Sequence, residues 1–273
     1  MSLKRFFDRV EPSRRSLLVA NRESPDPVQD ILEATFTEQP VQVEERDLPN
    51  VDPDTVLLVE DGDVLATSPL SALRDTIVMI NSDLYRTGAK GFDDLELPTV
   101  IEKLHDVQFS LRGYPKSDTE KLILVVISRY IEQIAARAGC GRHRASFQHL
   151  SRIRDERGTK QVYEHLADSA VDVHVYGLPD WIPTKEMAVT THAGRSDDFR
   201  NSWFVLFTPE RGPGRQSEGS DRSGPTTSPV ADHPDPNPVA LLAIEEEPQV
   251  WDGFWTFDPS LVAEINDYIT KEL

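Results

Sequence analysis

Apolar and polar residues alternate over the first six positions of VDVHVYGLPDWIP, residues 171–183, where Val171, Val173 and Val175 are spaced by Asp172, His174 and Tyr176. A period of two predicts a strand with one apolar and one polar face. The strand breaks at Gly177 and runs into Pro179, Asp180 and Trp181, so a His, a Tyr and a Trp gather near one strand end. The same kind of reading orders the first third of the chain. SLLVAN (16–21) and VQVEER (41–46) predict strands, and DTVLLVEDGDVLAT (54–67) predicts a hairpin turning at Asp61 and Gly62. DPVQDILEATF (26–36) has Pro27 at its first position and Val28, Ile31, Leu32 and Phe36 along one side, a helical stripe. Ser68 followed by Pro69 predicts the start of another helix over 68–77.

Beyond a polar, glycine-containing linker at about 80–96, the pattern changes scale. A short helix at 98–105 and a strand in VQFSLR lead into SDTEKLILVVISRYIEQIAARAG (117–139). That segment opens with Ser117 and Glu120 at capping-box spacing and closes on Gly139. Its apolar residues, from Leu122 to Ile134, cover much of the circumference, which predicts a core helix. ASFQHL follows, then a helix ending QVYEHLAD. The strand 171–177 comes next, with further strand candidates in EMAVTTH, SWFVLFT, VALLAIEEE and VWDGFWTFD. Asp258 and Pro259 predict the start of a closing helix. The fold expected is α/β in the α+β sense: a largely antiparallel or mixed sheet with helices packed on it. The division expected is a small N-terminal lobe over 1–80 and a larger one over 95–273. Residues 209–238, rich in Pro, Gly, Ser and Asp, predict a disordered loop inserted between two strands.

Composition narrows the functional classes. The 273 residues carry 47 Asp plus Glu against 29 Lys plus Arg, a net charge of −18. Nucleic-acid binding rests on clustered cations, so nucleic acid is an unlikely general partner. Arg outnumbers Lys 21 to 8. An acidic, Lys-poor surface suits a very salty cytoplasm, where charge repulsion is screened. Cys140 is the single cysteine, so neither an intramolecular disulfide nor a cysteine metal cluster can form. MSLKRFFDRVEP lacks the apolar core of a signal peptide, and the longest aliphatic run, LILVVI (122–127), is far shorter than the about 20 residues that cross a bilayer. The location expected is cytoplasmic, with no membrane partner.

Motifs for chemistry are missing. Neither G-x-S-x-G nor H-E-x-x-H occurs, and GCGRHR (139–144) follows a helix rather than a strand, so Gly139 reads as a helix stop. GPGRQSEG lacks the strand-to-helix setting of a phosphate cradle. No metal and no cofactor is implied. His174 reads as a hydrogen-bonded structural residue or as a ligand-contacting, proton-sensing one. One basic stretch interrupts the acidic background: Arg142, Arg144, Arg152, Arg154, Arg157 and Lys160, opposed by Asp155 and Glu156. It is either a solvated helix face with its own ion pairs or a docking patch for an acidic partner or phosphorylated ligand. Among the aromatics, Trp181, Trp203 and Trp255 lie on strands or strand ends. Such aromatics are expected mostly in the core; as the alternative, these three with Gln148, His174 and Tyr176 are the candidate lining of a ligand or partner site.

The order of these elements carries a resemblance. Phe147-Gln148 on a strand, Tyr163 to Leu166 on a helix, Val171 to Gly177, Trp203 to Phe207 and Phe254 to Pro259 resemble, as an ordered set, the DICT sensory domain. The whole chain is similar to the standalone DICT-containing proteins of halophilic archaea. The likeness covers roughly 98–208 and 239–270 and makes the 95–273 lobe DICT-like. The insert at 209–238 and the basic run at 152–160 depart from the family pattern. The resemblance implies a non-catalytic sensory or regulatory protein in a two-component, light or other environmental response. It supplies no catalytic residues. It also implies a signal that leaves through a signalling protein partner or starts from a small ligand. An enzyme with an unrecognised site and an adaptor using 142–160 are the alternatives.

Overall fold

The computed structural model describes residues 2–10, 15–24, 42–81, 96–112, 120–183, 186–210 and 237–273. The expected helix at 26–36, Ser117, and most of both the 80–96 linker and the 209–238 loop lie outside these residues. A 3₁₀ helix, Leu3–Arg9, precedes β1 (Arg15–Ala20), β2 (Gln42–Arg46), β3 (Thr55–Glu60), β4 (Asp63–Pro69) and α1 (Leu70–Asn81). Then come α2 (Thr99–Glu102), β5 (Phe109–Arg112), α3 (Glu120–Ala138), β6 (Cys140–His149), α4 (Ser151–Asp155) and α5 (Arg157–Ala167). The chain closes with β7 (Ala170–Leu178), β8 (Thr190–Ala193), α6 (Asp197–Asn201), β9 (Ser202–Thr208), β10 (Val239–Glu247), β11 (Val250–Thr256) and α7 (Pro259–Glu272).

Among the described residues the strands form two mixed sheets, β2-β1-β3-β4 and β5-β11-β10-β9-β6-β7-β8. The α+β expectation is met. In the larger sheet β6, β7 and β8 run parallel to one another, and the other pairings are antiparallel. The parallel step from β6 to β7 requires a crossover, which α4 and α5 supply.

Local chemistry explains several boundaries. Asp61 and Gly62 take positive φ (51° and 94°), the pair of left-handed residues that a two-residue hairpin turn needs. Gly139, at φ 67°, ends α3. The Asp258 carboxylate accepts hydrogen bonds from the Ser260 and Leu261 amides at the start of α7. Ser68 differs from its expected role. It pairs with Val56 at the end of β4 and its hydroxyl accepts from the Val100 amide at 3.2 Å, so α1 begins at Leu70.

The larger sheet is covered on both faces. Leu124, Ile127, Ile131 and Ala135 of α3 and Val162, Tyr163 and Leu166 of α5 bury one face, against Val171, Val173, Val175, Val205 and Leu241. Leu261, Val262, Ile265 and Ile269 of α7, with Leu3 and Phe6 of the 3₁₀ helix, bury the other against Phe204, Leu206, Leu242 and Phe254. The smaller sheet packs Leu17, Val19, Val56 and Leu58 against Leu70 and Leu73 of α1 and against Val100 and Leu104.

Candidate functional site

Helix α3 carries Val125, Ser128, Arg129 and Glu132 at spacings of three and four, one stripe facing the sheet. Opposite stand Ala145 and Phe147 of β6 and Trp203 and Val205 of β9. Arg152, Glu156, Thr159 and Tyr163 from α4, α5 and the residue between them close the side of a cleft of about 60 Å³ that opens to solvent.

The floor of this cleft is charged and sealed. Arg129 donates to Glu132 Oε2 at 2.5 Å and to Thr159 Oγ1 at 2.6 Å, and Thr159 donates to Glu156 at 2.9 Å. Tyr163 donates to Glu132 Oε1 at 3.1 Å, and His143 Nε2 lies 3.2 Å from the same hydroxyl. Because the Tyr163 proton is committed to Glu132, the contact from His143 is an Nε2–H donor. His143 Nδ1 is then a buried acceptor with no partner among the described residues. Burial, aided by the Arg129 charge, lowers the pKa of His143 to about 3, so the ring is neutral. Burial raises the pKa of Glu132, against the pull of Arg129. Trp203 lines the wall, its indole N–H donating to Ser128 Oγ at 2.9 Å and its ring set edge-on to Trp251.

A second polar cluster lies on the opposite face of the sheet, toward α7. His174 Nε2 is 2.9 Å from Asp172 Oδ2, and its Nδ1 is 2.9 Å from His192 Nε2. The Tyr176 ring stacks on His192 at 4.3 Å, and its hydroxyl takes a hydrogen bond from Arg144. Arg144 also donates to Asn266 of α7, and Arg142 donates to Asp172, both at 2.9 Å. Although burial favours the neutral acid, these bonds hold the Asp172 carboxyl below its usual pKa. Burial and the neighbouring Arg144 charge lower the pKa of both imidazoles, with Asp172 opposing.

The six expected lining residues therefore separate. His174 and Tyr176 share the α7-side cluster, and Trp203 lines the cleft on the other face. Trp255 is buried in the core with its indole N–H on the Leu104 carbonyl at 2.9 Å. Gln148 sits at a bulge in β6 with φ 53°, donating to Glu245 at 3.0 Å. Trp181 lies beneath the Arg154 guanidinium, 5.8 Å from ring centre to carbon. The basic stretch separates too, because 142–144 lies on a strand while 151–155 and 157–160 lie on two successive helices. Arg142 and Arg144 are bound within the α7-side cluster, Arg154 pairs with Asp155 at 2.8 Å, Arg157 is exposed and Arg152 lines the cleft. Sequence reasoning did not single out Arg129 and Glu132. Their signal was an acid and a base three residues apart on a helix otherwise apolar enough to be buried.

Residues 99–213 match the family model DICT, described as the sensory domain in diguanylate cyclases and two-component systems. DICT is a sensory domain of signalling proteins, and every residue that lines the cleft falls inside the matched span. Strands β10 and β11 and helix α7 lie beyond it. No curated protein and no solved structure matches the chain. Among the described residues no group of three His, Cys, Asp or Glu is placed to hold a metal ion, and no helix is long and apolar enough to cross a membrane.

Proposed function

We propose that the protein is a non-catalytic sensory or regulatory module that binds a small ligand in the cleft between α3, α4, α5 and the sheet, and passes the result to a protein partner. The observation that carries this reading is the coincidence of the cleft with the span matched by the sensory domain. Arg152 and Trp203 contact the ligand, while Gln148, His174, Tyr176, Trp181 and Trp255 hold the elements around it. The sensory unit is the 95–273 lobe, and 1–80 is an accessory lobe. A thermal-shift screen of a metabolite library, followed by product analysis of each hit, tests the reading. Binding without conversion supports it, and conversion of a hit makes the protein an enzyme instead.

The charge of −18 supports a finer reading, a cytoplasmic protein of the halophilic-archaeal type. Self-repulsion in such a chain is relieved when molar salt shortens the Debye length to about 3 Å. The midpoint of thermal unfolding is expected to rise substantially between low salt and molar KCl. A flat or falling midpoint removes the halophile reading and leaves the sensory one standing.

A further inference from the structure

The cleft holds two guanidinium groups in different states. Arg129 is buried and bound by Glu132 and Thr159. Arg152 lines the same cleft half-buried, and among the described residues its side chain makes no hydrogen bond or ion pair. Its neighbour Arg154 is occupied by Asp155 and Trp181. A guanidinium partly withdrawn from water and left unpaired is complementary to an anion, and its planar fork fits a carboxylate or a phosphate.

The surroundings choose between these anions. Glu156 lines the same cleft, and the Glu132 charge is already met by Arg129, so a bound anion meets one acidic neighbour without a cationic partner. A phosphate dianion meets that repulsion with twice the charge of a carboxylate. The remaining wall is apolar or aromatic: Trp203 and Phe147 present rings beside Val125, Ala145 and Val205. Phe147 is held edge-on to Tyr163 at 5.0 Å, so its ring is fixed in orientation. The space inside the cleft is about 60 Å³ and opens to solvent at its mouth, so the ligand is small, no more than one planar ring.

We infer that the cleft binds a small planar aromatic carboxylate, with its carboxylate on Arg152 and its ring against Trp203 and Phe147. This inference rests on the reading of the cleft as the ligand site, and it adds the ligand class. Sodium benzoate, neutral benzamide and inorganic phosphate are titrated calorimetrically into the full chain and into Arg152→Gln and Trp203→Phe. Tryptophan fluorescence is followed in parallel. Benzoate is expected to bind, with affinity falling about tenfold or more in Arg152→Gln, the scale of one lost charge-assisted contact. Benzamide is expected to bind at least as weakly as benzoate does to that variant, and the fluorescence change is expected to vanish in Trp203→Phe. Circular dichroism of both variants checks that they fold. Phosphate displacing benzoate, or benzoate binding equally well to Arg152→Gln, overturns the inference. If benzoate fails while another compound changes the Trp203 signal, the ligand class falls and the ligand site stands. If no compound in the library changes that signal, both fall.

Discussion

Strand β6 sends His143 to one face of the larger sheet and Arg142 and Arg144 to the other, and the two polar clusters that result behave oppositely. Each contains arginine, histidine, tyrosine and a carboxylate. On the α3 side the ion pair is sealed: the Arg129 and Glu132 side chains are 8% and 2% exposed, and His143 is wholly buried. On the α7 side Arg144 and Tyr176 are buried too, but the ion pair is open: the Arg142 and Asp172 side chains are 41% and 44% exposed, and water shares their charge. Composition is therefore a poor guide to what such a cluster does. A sealed pair holds its charges only while both partners remain, whereas an exposed pair is largely replaceable by solvent.

Three measurements bear on that contrast, and the largest effect is expected at Glu132. Glu132→Ala removes the buried carboxylate that balances the Arg129 charge and is expected to cost about 3–5 kcal/mol in urea unfolding. A loss under about 1 kcal/mol would mean that water reaches the floor of the cleft. The second measurement is stability against pH. His143 has a folded pKa of about 3 against an ordinary 6.5, so between these values the unfolded chain takes up a proton that the folded chain refuses. Stability is expected to fall as pH drops below about 6.5, by about 1.4 kcal/mol per pH unit from this residue once well below that point. His174 and His192, also lowered, act in the same direction. Glu132 opposes them, because its raised pKa lets the folded state keep a proton above the ordinary 4.5. In His143→Gln the slope between pH 6.5 and 4.5 is expected to flatten, and an unchanged slope would assign the acid response to the α7-side histidines. The smallest effect is expected for Asp172→Ala, a loss of about 1 kcal/mol or less, as for a solvent-shared pair. A loss equal to that of Glu132→Ala would erase the distinction between the faces.

What the sequence made legible was whatever local chemistry decides. The alternation in 171–177, the Asp61-Gly62 turn, the stop at Gly139 and the Asp258 cap each depend on residues within a few positions of one another, and each stands in the structure. Strand β6 was the harder case. CGRHRASFQH has charged and polar residues at three successive positions, which argues against a central strand, yet β6 lies between β9 and β7. Its Arg144 is tolerated there because Asn266 and Tyr176 reach it from far along the chain, and His143 because Tyr163 does. Those partners cannot be read from a local window. The cleft was hidden for the same reason, since its lining comes from α3, β6, α4, α5 and β9; of that lining only Trp203 and Arg152 stood out as site candidates, with Phe147 and Tyr163 entering only as motif residues. The match over 99–213 covers the first part of the resemblance read from the ordered motifs and leaves 239–270 outside it.

The segment from α2 into β5 is stitched to both sheets. Arg15 of β1 donates to the Lys103 and His105 carbonyls at 3.0 and 2.5 Å, and the Trp255 indole of β11 donates to the Leu104 carbonyl between them. The Asp106 amide returns a bond to the Trp255 carbonyl at 2.7 Å, and Gln108 donates to the Phe7 carbonyl within the N-terminal 3₁₀ helix and to the Val10 carbonyl just after it. Neither sheet can melt without releasing this strap, and releasing it exposes Leu104 and Trp255 together. The two sheets are therefore expected to melt together, and calorimetry should record a single endotherm whose van't Hoff and calorimetric enthalpies agree.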